Sequence, residues 1–249
     1  MGLPSGVSIT WYGHSCWEIV TTRGTRILLD PWFSNPKSPK SPHDVDRCDL
    51  LLVSHGHFDH ADDAIALASR LRPAWAAMHE LSLWAGRQLP GGQDAVTGMN
   101  KGGRVEMKGI GIRMVSADHS GGDWSRGVRA LELPSPVYMG EPVGFVLEFE
   151  DGGRLYFAGD TQVFGDMRFI RELYRPEAAI LPIGGHYTMG PEEAAYATEL
   201  LGVDTVVPTH YGTFPILTGT PEQLREELAR RDLGRVEVLT TEPGKALGG

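Results

Sequence analysis

The sequence predicts an α/β protein in which two β-sheets pack face to face between outer layers of helices, a four-layer α/β/β/α sandwich. Two observations support this prediction. Each half of the chain starts with short apolar strands separated by turns, and each half ends in alternating strands and helices. A sheet with one apolar face must bury that face, so the two halves are expected to pack sheet on sheet with their helices outside. Residues 1–249 are expected to form this single domain.

The N-terminal half is predicted to supply the first sheet. Its predicted elements are, in order, strands at 8–12, 16–20, 26–29 and 50–53, a helix at 61–70, a strand at 74–77 and a helix at 79–87. Gly24 marks a hairpin turn, and the unbroken apolar run 50–53 is typical of a strand that is buried on both faces. The stretch 89–103 is rich in glycine and has no periodicity, which predicts a loop.

The C-terminal half repeats this order. Its predicted elements are strands around Val105 and at 110–116, 143–150, 154–157 and 178–181, a helix at 191–201, a strand at 205–207, a helix at 221–231 and a strand at 236–239. Pro191 and Pro221 suit the first position of a helix, where no backbone hydrogen bond is lost. Three prolines within 34–44 predict an extended loop, and the sequence leaves open whether it is a lid or a plain connection.

Composition and charge limit the classes of function. Apolar residues make up 41% of the chain and charged residues 22%, as in ordinary globular proteins. The apolar runs are only as long as strands, and Cys16 and Cys48 are the only cysteines, so neither a membrane span nor a disulfide framework is predicted. A cytoplasmic location is therefore expected. The formal net charge is −9, and because surfaces that bind nucleic acid are normally basic, nucleic acid is not an expected partner.

A cluster of polar side chains follows the predicted strand at 50–53. Three imidazoles and a carboxylate fall within six residues there: His55, His57, Asp59 and His60. Because buried polar groups cost free energy unless they are paired, such a cluster at the end of a strand normally coordinates a metal ion or solvent, and a solvated loop rich in histidine is the alternative. Gly56 allows the backbone to bend tightly enough for His55 and His57 to converge. The sequence therefore predicts a metal site here.

This His-x-His-x-Asp-His pattern resembles that of the metallo-β-lactamase superfamily, and the further motifs of that family follow in order. An acidic residue, Asp30, ends an early strand in Leu-Leu-Asp-Pro. After the cluster, three more residues each lie at or just beyond the end of a predicted strand: His119, Asp160 and His210. Since five motifs occur in the order of the family, the chain is identified as a member, and the metallo-β-lactamase fold is expected.

The resemblance implies a centre of two divalent metal ions. The implied ligands are His55, His57 and His119 for the first ion and Asp59, His60 and His210 for the second, with Asp160 bridging the two. Asp30 would orient a ligand histidine. Zinc is the favoured metal, and the ligand set also suits manganese or iron. Neither cysteine lies in a motif, so the thiolate ligand of some true β-lactamases is absent, which argues against antibiotic hydrolysis.

Two further histidines lie beside glycines, His14 in Tyr-Gly-His-Ser and His186 in Gly-Gly-His-Tyr-Thr-Met-Gly-Pro. These segments resemble one branch of the superfamily, the metal-dependent hydrolases related to ascorbate-6-phosphate lactonases. Gly-His and Asp-Pro-Trp-Phe-Ser are more distantly similar to N-acyl-phosphatidylethanolamine phospholipase D. The resemblance implies that His14 and Asp30 support the ligands or contact the substrate. Asp59 would orient the attacking hydroxide and help take its proton, and His186 or His14 would donate a proton or hydrogen bond to the developing oxyanion.

The expected function is that of a metal-dependent hydrolase. A hydroxide bound by two metal ions would attack an ester-like bond, a lactone or a phosphodiester, in a small and anionic substrate. Two alternatives stay open: a non-catalytic metal-binding or sensor protein, and a di-iron redox protein on the same scaffold. A small-molecule partner is expected rather than nucleic acid or a membrane, and a homo-oligomer is compatible with the sequence.

Overall fold

Two mixed β-sheets form the centre of the molecule. The structure is a computed structural model that describes residues 2–122 and 137–248, and each sheet contains seven strands within those ranges. The strands of the first sheet are β1 (Ser8–Trp11), β2 (Trp17–Val20), β3 (Arg26–Leu29), β4 (Leu50–Val53), β5 (Ala74–Met78), β6 (Thr97–Met99) and β14 (Ala246–Gly248). The strands of the second sheet are β7 (Arg104–Met107), β8 (Ile110–Ser116), β9 (Val143–Glu148), β10 (Arg154–Phe157), β11 (Ala178–Pro182), β12 (Thr205–Thr209) and β13 (Glu237–Val238).

The helices lie between strands of the same sheet. They are α1 (Phe58–Ala61), α2 (Ala64–Leu71), α3 (His79–Gly86), α4 (Met167–Tyr174), α5 (Pro191–Leu201) and α6 (Pro221–Arg230), with short 3-10 turns at Pro42–Asp44 and Gly92–Ala95. Helix α6 begins as its sequence predicts, with proline in the first turn after Thr220. The Thr220 side chain accepts a hydrogen bond from the backbone N–H of Gln223, and Gln223 accepts one in return from the backbone N–H of Thr220.

Both sheets are antiparallel on one side and parallel on the other. In the first sheet, β14, β1, β2 and β3 are antiparallel neighbours, and β3 to β6 are parallel. In the second sheet, β7 to β10 are antiparallel, and β10 to β13 are parallel. Strands β3 and β4 therefore end at the same edge of one sheet, and β10, β11 and β12 end at the same edge of the other.

The alternation of side chains along β10 shows how the layers are arranged. Leu155 and Phe157 belong to the core between the sheets, whereas Tyr156, which points to the opposite face, packs in the core beneath α4, α5 and α6. The side chains of β11 alternate in the same way, with Ile180 in the core between the sheets and Leu181 in the core beneath the helices. The predicted four-layer α/β/β/α sandwich is confirmed.

Several element predictions were wrong in detail. The helix predicted at 61–70 starts earlier, at Phe58, and consists of two helices, α1 and α2. The stretch 89–103, predicted as a loop, contains a 3-10 turn and β6, an edge strand whose Thr-Gly-Met sequence carries no apolar pattern. Helix α4 and strand β14 were not predicted at all. The i, i+3, i+7 spacing of Met167, Ile170 and Tyr174 does indicate α4, whereas β14 has exposed or half-buried side chains throughout and gives no such signal.

The 34–44 segment contains no strand or α-helix, as expected of a loop. It is not extended as predicted, because it consists of turns and bends, with the backbone N–H of Ser38 donating to the carbonyl oxygen of Asn35, and it ends in a 3-10 turn. Whether it acts as a lid stays a prediction. Across residues 2–122 and 137–248, no helix combines the length and the apolar character that crossing a membrane would require.

Candidate metal centre

The predicted site residues lie beyond the ends of strands from both sheets. Asp30 follows β3 and the histidine cluster follows β4, while Asp160 follows β10 and His210 follows β12. Because these parallel strands end at the same edges, the motifs meet although they are far apart in the chain. The backbone N–H of His210 donates to the carbonyl oxygen of His14 at 3.1 Å, which ties the two edges together.

Three imidazoles form the first cluster: His55, His57 and His119. One ring nitrogen of each lies within 4.8 Å of the others, and Nε2 of His55 is 2.9 Å from Nδ1 of His57. His55 is buried, while His57 and His119 are half-buried and face the cavity described below. These are the three residues that the resemblance assigns to one metal ion.

The second cluster brings together Asp59, His60 and His210, the residues assigned to the other metal ion, and adds His14. One donor atom of each of these four residues lies within 4.8 Å of the others. His14, His60 and His210 are buried, and Asp59 is partly exposed.

Asp160 lies between the two clusters. Its Oδ2 atom is 3.1 Å from Nε2 of His210 and 3.2 Å from Nε2 of His60, both in the second cluster. The same oxygen is 3.7 Å from Nε2 of His119 in the first cluster. One carboxylate oxygen is therefore within reach of both groups of imidazoles.

Asp30 fixes the orientation of His60. Its two oxygens accept hydrogen bonds from the backbone N–H of Ser54 at 2.6 Å, from Oγ of Ser54 at 2.6 Å and from Nδ1 of His60 at 2.7 Å. With Nδ1 of His60 donating, Nε2 faces Asp160. A carboxylate that orients a histidine through its remote nitrogen is the usual support of a metal ligand. The role predicted for Asp30, orienting a ligand histidine, stays a prediction that this geometry supports.

His14 supports Asp59 in the same way. Nε2 of His14 lies 2.9 Å from Oδ2 of Asp59, and Nδ1 lies 3.0 Å from Oγ1 of Thr213. An ionised carboxylate only accepts hydrogen bonds, so Nε2 of His14 donates and Nδ1 accepts from the Thr213 hydroxyl. Both ring nitrogens thus have protein partners, which favours a positioning role for His14 over direct ligation.

The imidazoles of the first cluster and His60 of the second differ in the direction in which their pKa values are shifted. Burial lowers the pKa of His55 well below its usual value, lowers that of His57 to about 4 and also lowers that of His119, so all three favour the neutral form. Burial also disfavours the charged form of His60, but the carboxylates of Asp160, Asp30 and Asp59 outweigh this effect and raise its pKa well above the usual value.

The buried Asp160 carboxylate is held in its ionised form. Burial alone would raise its pKa, but the neighbouring His210 and His60 outweigh this and hold the pKa of Asp160 well below its usual range. Among the described residues, Oδ1 of Asp160 is a buried atom without a hydrogen-bond partner, and Nε2 of His60 meets Oδ2 of Asp160 only as an ion pair at 3.2 Å. Buried atoms of this kind need compensation. The neutral imidazoles of the first cluster and an ionised buried carboxylate with an unpartnered oxygen fit divalent metal ions.

Four predicted site residues adopt the left-handed backbone region that non-glycine residues rarely occupy. The φ angles are 54° at His14, 43° at Asp30, 58° at His186 and 55° at His210. Such strain persists only where the surrounding structure enforces it, and it is concentrated at functional sites.

A cavity of about 650 Å³ opens above the clusters. Five predicted ligands form part of its lining: His57, Asp59, His119, Asp160 and His210. The remaining lining residues are Phe58, Ser120, Tyr187, Phe214 and Ile216.

His186 is exposed and does not line this cavity, although its ring lies 4.4 Å from that of Tyr187, which does. Its catalytic role stays a prediction.

Sequence reasoning missed several residues of the site. Ser54, which immediately precedes His55, could have been suspected from its position, and its hydroxyl contacts both Asp30 and Nδ1 of His55. Thr213 had no comparable signal, because its partner His14 lies 199 positions away.

Comparison with known proteins gives a consistent result. Residues 8–210 match the family model described as the beta-lactamase superfamily domain. A UPF0173 metal-dependent hydrolase of Koribacter versatilis is 44% identical over 222 residues, covering 89% of this chain and 91% of the relative. A second relative with the same description, from Rubrobacter xylanophilus, is 44% identical over 245 residues and covers 98% of this chain and 97% of its own.

A solved structure extends this similarity to three dimensions. Igni18, a metallo hydrolase from the hyperthermophilic archaeon Ignicoccus hospitalis, is 35% identical in sequence and superposes with a TM-score of 0.82. The match covers 97% of both chains.

Proposed function

Because the chain belongs to the beta-lactamase superfamily and is a metal-dependent hydrolase of the metallo-β-lactamase fold, we propose that it holds two divalent metal ions and hydrolyses an ester-like bond, either a lactone or a phosphodiester. The position of Asp160 carries this proposal. Its Oδ2 atom reaches His119 of the first cluster as well as His60 and His210 of the second. A carboxylate in this position is suited to bridge two cations about 3.5–4 Å apart.

The residues present fit this pair of ions. His55, His57 and His119 would hold the first, and Asp59, His60 and His210 the second, with Asp160 shared between them. Imidazoles together with carboxylates are typical zinc ligands, and manganese or iron would also accept them. Zinc is the metal that we propose.

Two bound divalent cations would lower the pKa of a shared water from about 15.7 toward 7 and polarise the carbonyl or phosphoryl oxygen of the substrate. Asp59 lies on the cavity lining with Oδ2 directed to His14, which leaves its carboxylate in place to accept a proton from water. Asp30 keeps Nε2 of His60 directed at Asp160, and the Ser54 hydroxyl contacts Nδ1 of His55 at 3.0 Å. These contacts hold the imidazoles in fixed orientations.

His186 stays our candidate donor of a proton or hydrogen bond to the developing oxyanion. His14, the other candidate, is less favoured because both of its ring nitrogens already have protein partners. Tyr187, the neighbour of His186, lines the cavity, so the loop that carries both residues borders the proposed substrate. We also propose a small-molecule partner, a cytoplasmic location and no role for nucleic acid, in keeping with the net charge of −9.

Turnover of two substrate panels by the metal-loaded protein tests the proposed function. One panel contains a chromogenic bis-phosphodiester and the other contains small lactones, and wild type is compared with His57→Ala. We expect hydrolysis in at least one panel and its loss in the variant. Two equivalents of metal without any turnover would favour the sensor alternative, and reduction of oxygen by an iron-loaded form would favour the redox alternative.

A further inference from the structure

We propose that the substrate carries an apolar substituent next to the bond that is cleaved, and that this substituent packs against Phe58, Tyr187, Phe214 and Ile216. We call these four residues the apolar wall. The inference rests on the proposed hydrolase function and deepens it by naming the class of substrate: esters in which one side of the scissile bond is aliphatic or aromatic.

The composition of the cavity supports this assignment. Apart from the metal-centre residues, its described lining consists of the apolar wall and Ser120, and it includes no lysine or arginine. A negative charge on the substrate would therefore have to be balanced at the metal centre itself. Apolar lining with a few convergent polar groups is the usual composition of a site for small organic ligands.

Two residues of the apolar wall rest on a buried aromatic side chain. The ring of Trp32, which is only 6% exposed, lies 5.5 Å from that of Phe58 and 6.0 Å from that of Phe214. Phe214 also contacts His14, with ring centroids 5.8 Å apart. Phe58 lies between His57 and Asp59 in the chain, so the wall begins directly beside the predicted ligands.

The other two residues leave apolar surface in contact with solvent at the cavity. Tyr187 is 58% exposed and Ile216 is 43% exposed. Covering such surface with an apolar group of the substrate removes it from water, which favours binding roughly in proportion to the area covered. Because the wall adjoins the metal centre, the covered group would lie next to the reacting bond.

The reaction itself is ordinary hydrolysis. The oxygen of water forms a bond to the acyl carbon or to phosphorus, the ester C–O or P–O bond breaks, and the proton from water leaves on the departing alcohol. If the substituent binds along the wall, each added methylene should raise kcat/KM about two- to fourfold until the wall is covered.

Two homologous series of substrates test the proposal on the metal-loaded enzyme. One series runs from 4-nitrophenyl acetate to the octanoate, and the other from methyl to octyl 4-nitrophenyl phosphate. We expect kcat/KM to rise at least tenfold along the series that is hydrolysed, and Ile216→Ala and Phe214→Ala to reduce that rise at least threefold. Leu173→Ala removes an exposed apolar side chain from α4, where Leu173 is 67% exposed, and should leave the rise unchanged.

Turnover without any dependence on chain length would overturn this inference and leave the proposed function standing. Absence of turnover in both series and in the lactone panel would count against the proposed function, and calorimetric binding of acetate and octanoate then decides the inference. We expect octanoate to bind at least tenfold more tightly than acetate, and this difference to shrink in Ile216→Ala but not in Leu173→Ala. Equal binding, or a difference that Ile216→Ala leaves unchanged, would overturn the inference.

Discussion

Nε2 of His14 donates a hydrogen bond to Oδ2 of Asp59 over 2.9 Å, joining residues that are 45 positions apart. Thr213 donates to the other ring nitrogen of His14 at 3.0 Å. Three segments of the chain thus converge on one carboxylate at the cavity. Burial, as the largest influence, lowers the pKa of His14 to about 4, so its imidazole stays neutral at physiological pH and acts as a fixed donor.

Removing the His14 donor should leave the Asp59 carboxylate without the hydrogen bond that holds its orientation. In His14→Ala we expect the affinity for the second metal ion to fall about 10- to 100-fold, since support of a ligand is typically worth that much. Competition with a chromogenic chelator measures the affinity. His14→Gln, which keeps a donor, should recover part of the loss, and equal metal affinity in wild type and His14→Ala would show that the hydrogen bond has no positioning role.

A substitution at Asp30 tests the hydrogen bonds that hold His60 in its orientation. This fully buried carboxylate accepts three hydrogen bonds, two from Ser54 and one from His60. In Asp30→Asn, the amide N–H₂ group would replace one accepting oxygen and would face the donors of Ser54 or His60. Each buried donor left without an acceptor costs about 1–3 kcal/mol. Urea unfolding of the metal-free protein should show a loss of about 2–4 kcal/mol. A loss below about 0.5 kcal/mol, the low end for one hydrogen bond, would contradict this account.

The parts of this site that follow from short motifs could be predicted from the sequence. His55, His57, Asp59 and His60 are neighbours in the chain and follow an apolar strand, so their convergence needed only local geometry. Asp160 and His210 follow β10 and β12, which parallel pairing through β11 brings to one edge. His119 follows β8, which is two antiparallel pairings from β10 and therefore ends at the same edge. These seven residues do lie together in the structure.

The rest depends on contacts between distant segments that no local pattern marks. The apolar wall combines Phe58 with Tyr187, Phe214 and Ile216, and a lone aromatic or aliphatic residue in a sequence is most simply interpreted as core. Strands β6 and β14 are short edge strands held by backbone pairing, so their side chains carry no alternating pattern. Helix α4 could have been predicted from the sequence, because Met167, Ile170 and Tyr174 follow the i, i+3, i+7 spacing of an amphipathic helix.

Gly159, which precedes Asp160, should tolerate no side chain. Its φ angle is 62°, and a Cβ atom there would lie 2.7 Å from Cβ of Ser54 and 2.9 Å from the carbonyl oxygen of Val143. Gly152 is a matched control, because its φ of 89° is also left-handed but a Cβ atom there would meet nothing within 4 Å. We expect Gly152→Ala to cost about 1–2 kcal/mol of stability and Gly159→Ala at least about 1–3 kcal/mol more. Equal losses in thermal or urea unfolding would contradict the contact with Ser54.

Metal binding should depend on pH through His60. Its raised pKa means that His60 carries a proton in the metal-free protein near neutral pH, whereas the lowered pKa values of His55, His57 and His119 mean that those rings are already neutral. A ligand must lose its proton to bind, so affinity for the second ion should rise with pH. Calorimetry at about pH 6 in buffers of different ionisation enthalpy should show more protons released with the second ion than with the first. Equal proton release for both ions would contradict this assignment.

The most direct test of the central claim is the metal stoichiometry of the purified protein and of its reloaded apo-form, measured by elemental mass spectrometry. A dinuclear centre bridged by Asp160 predicts about two equivalents of zinc per chain in the wild type and one or fewer in Asp160→Ala. Only trace metal in the wild type, even after reloading with zinc and manganese, would contradict the assignment of all seven ligands.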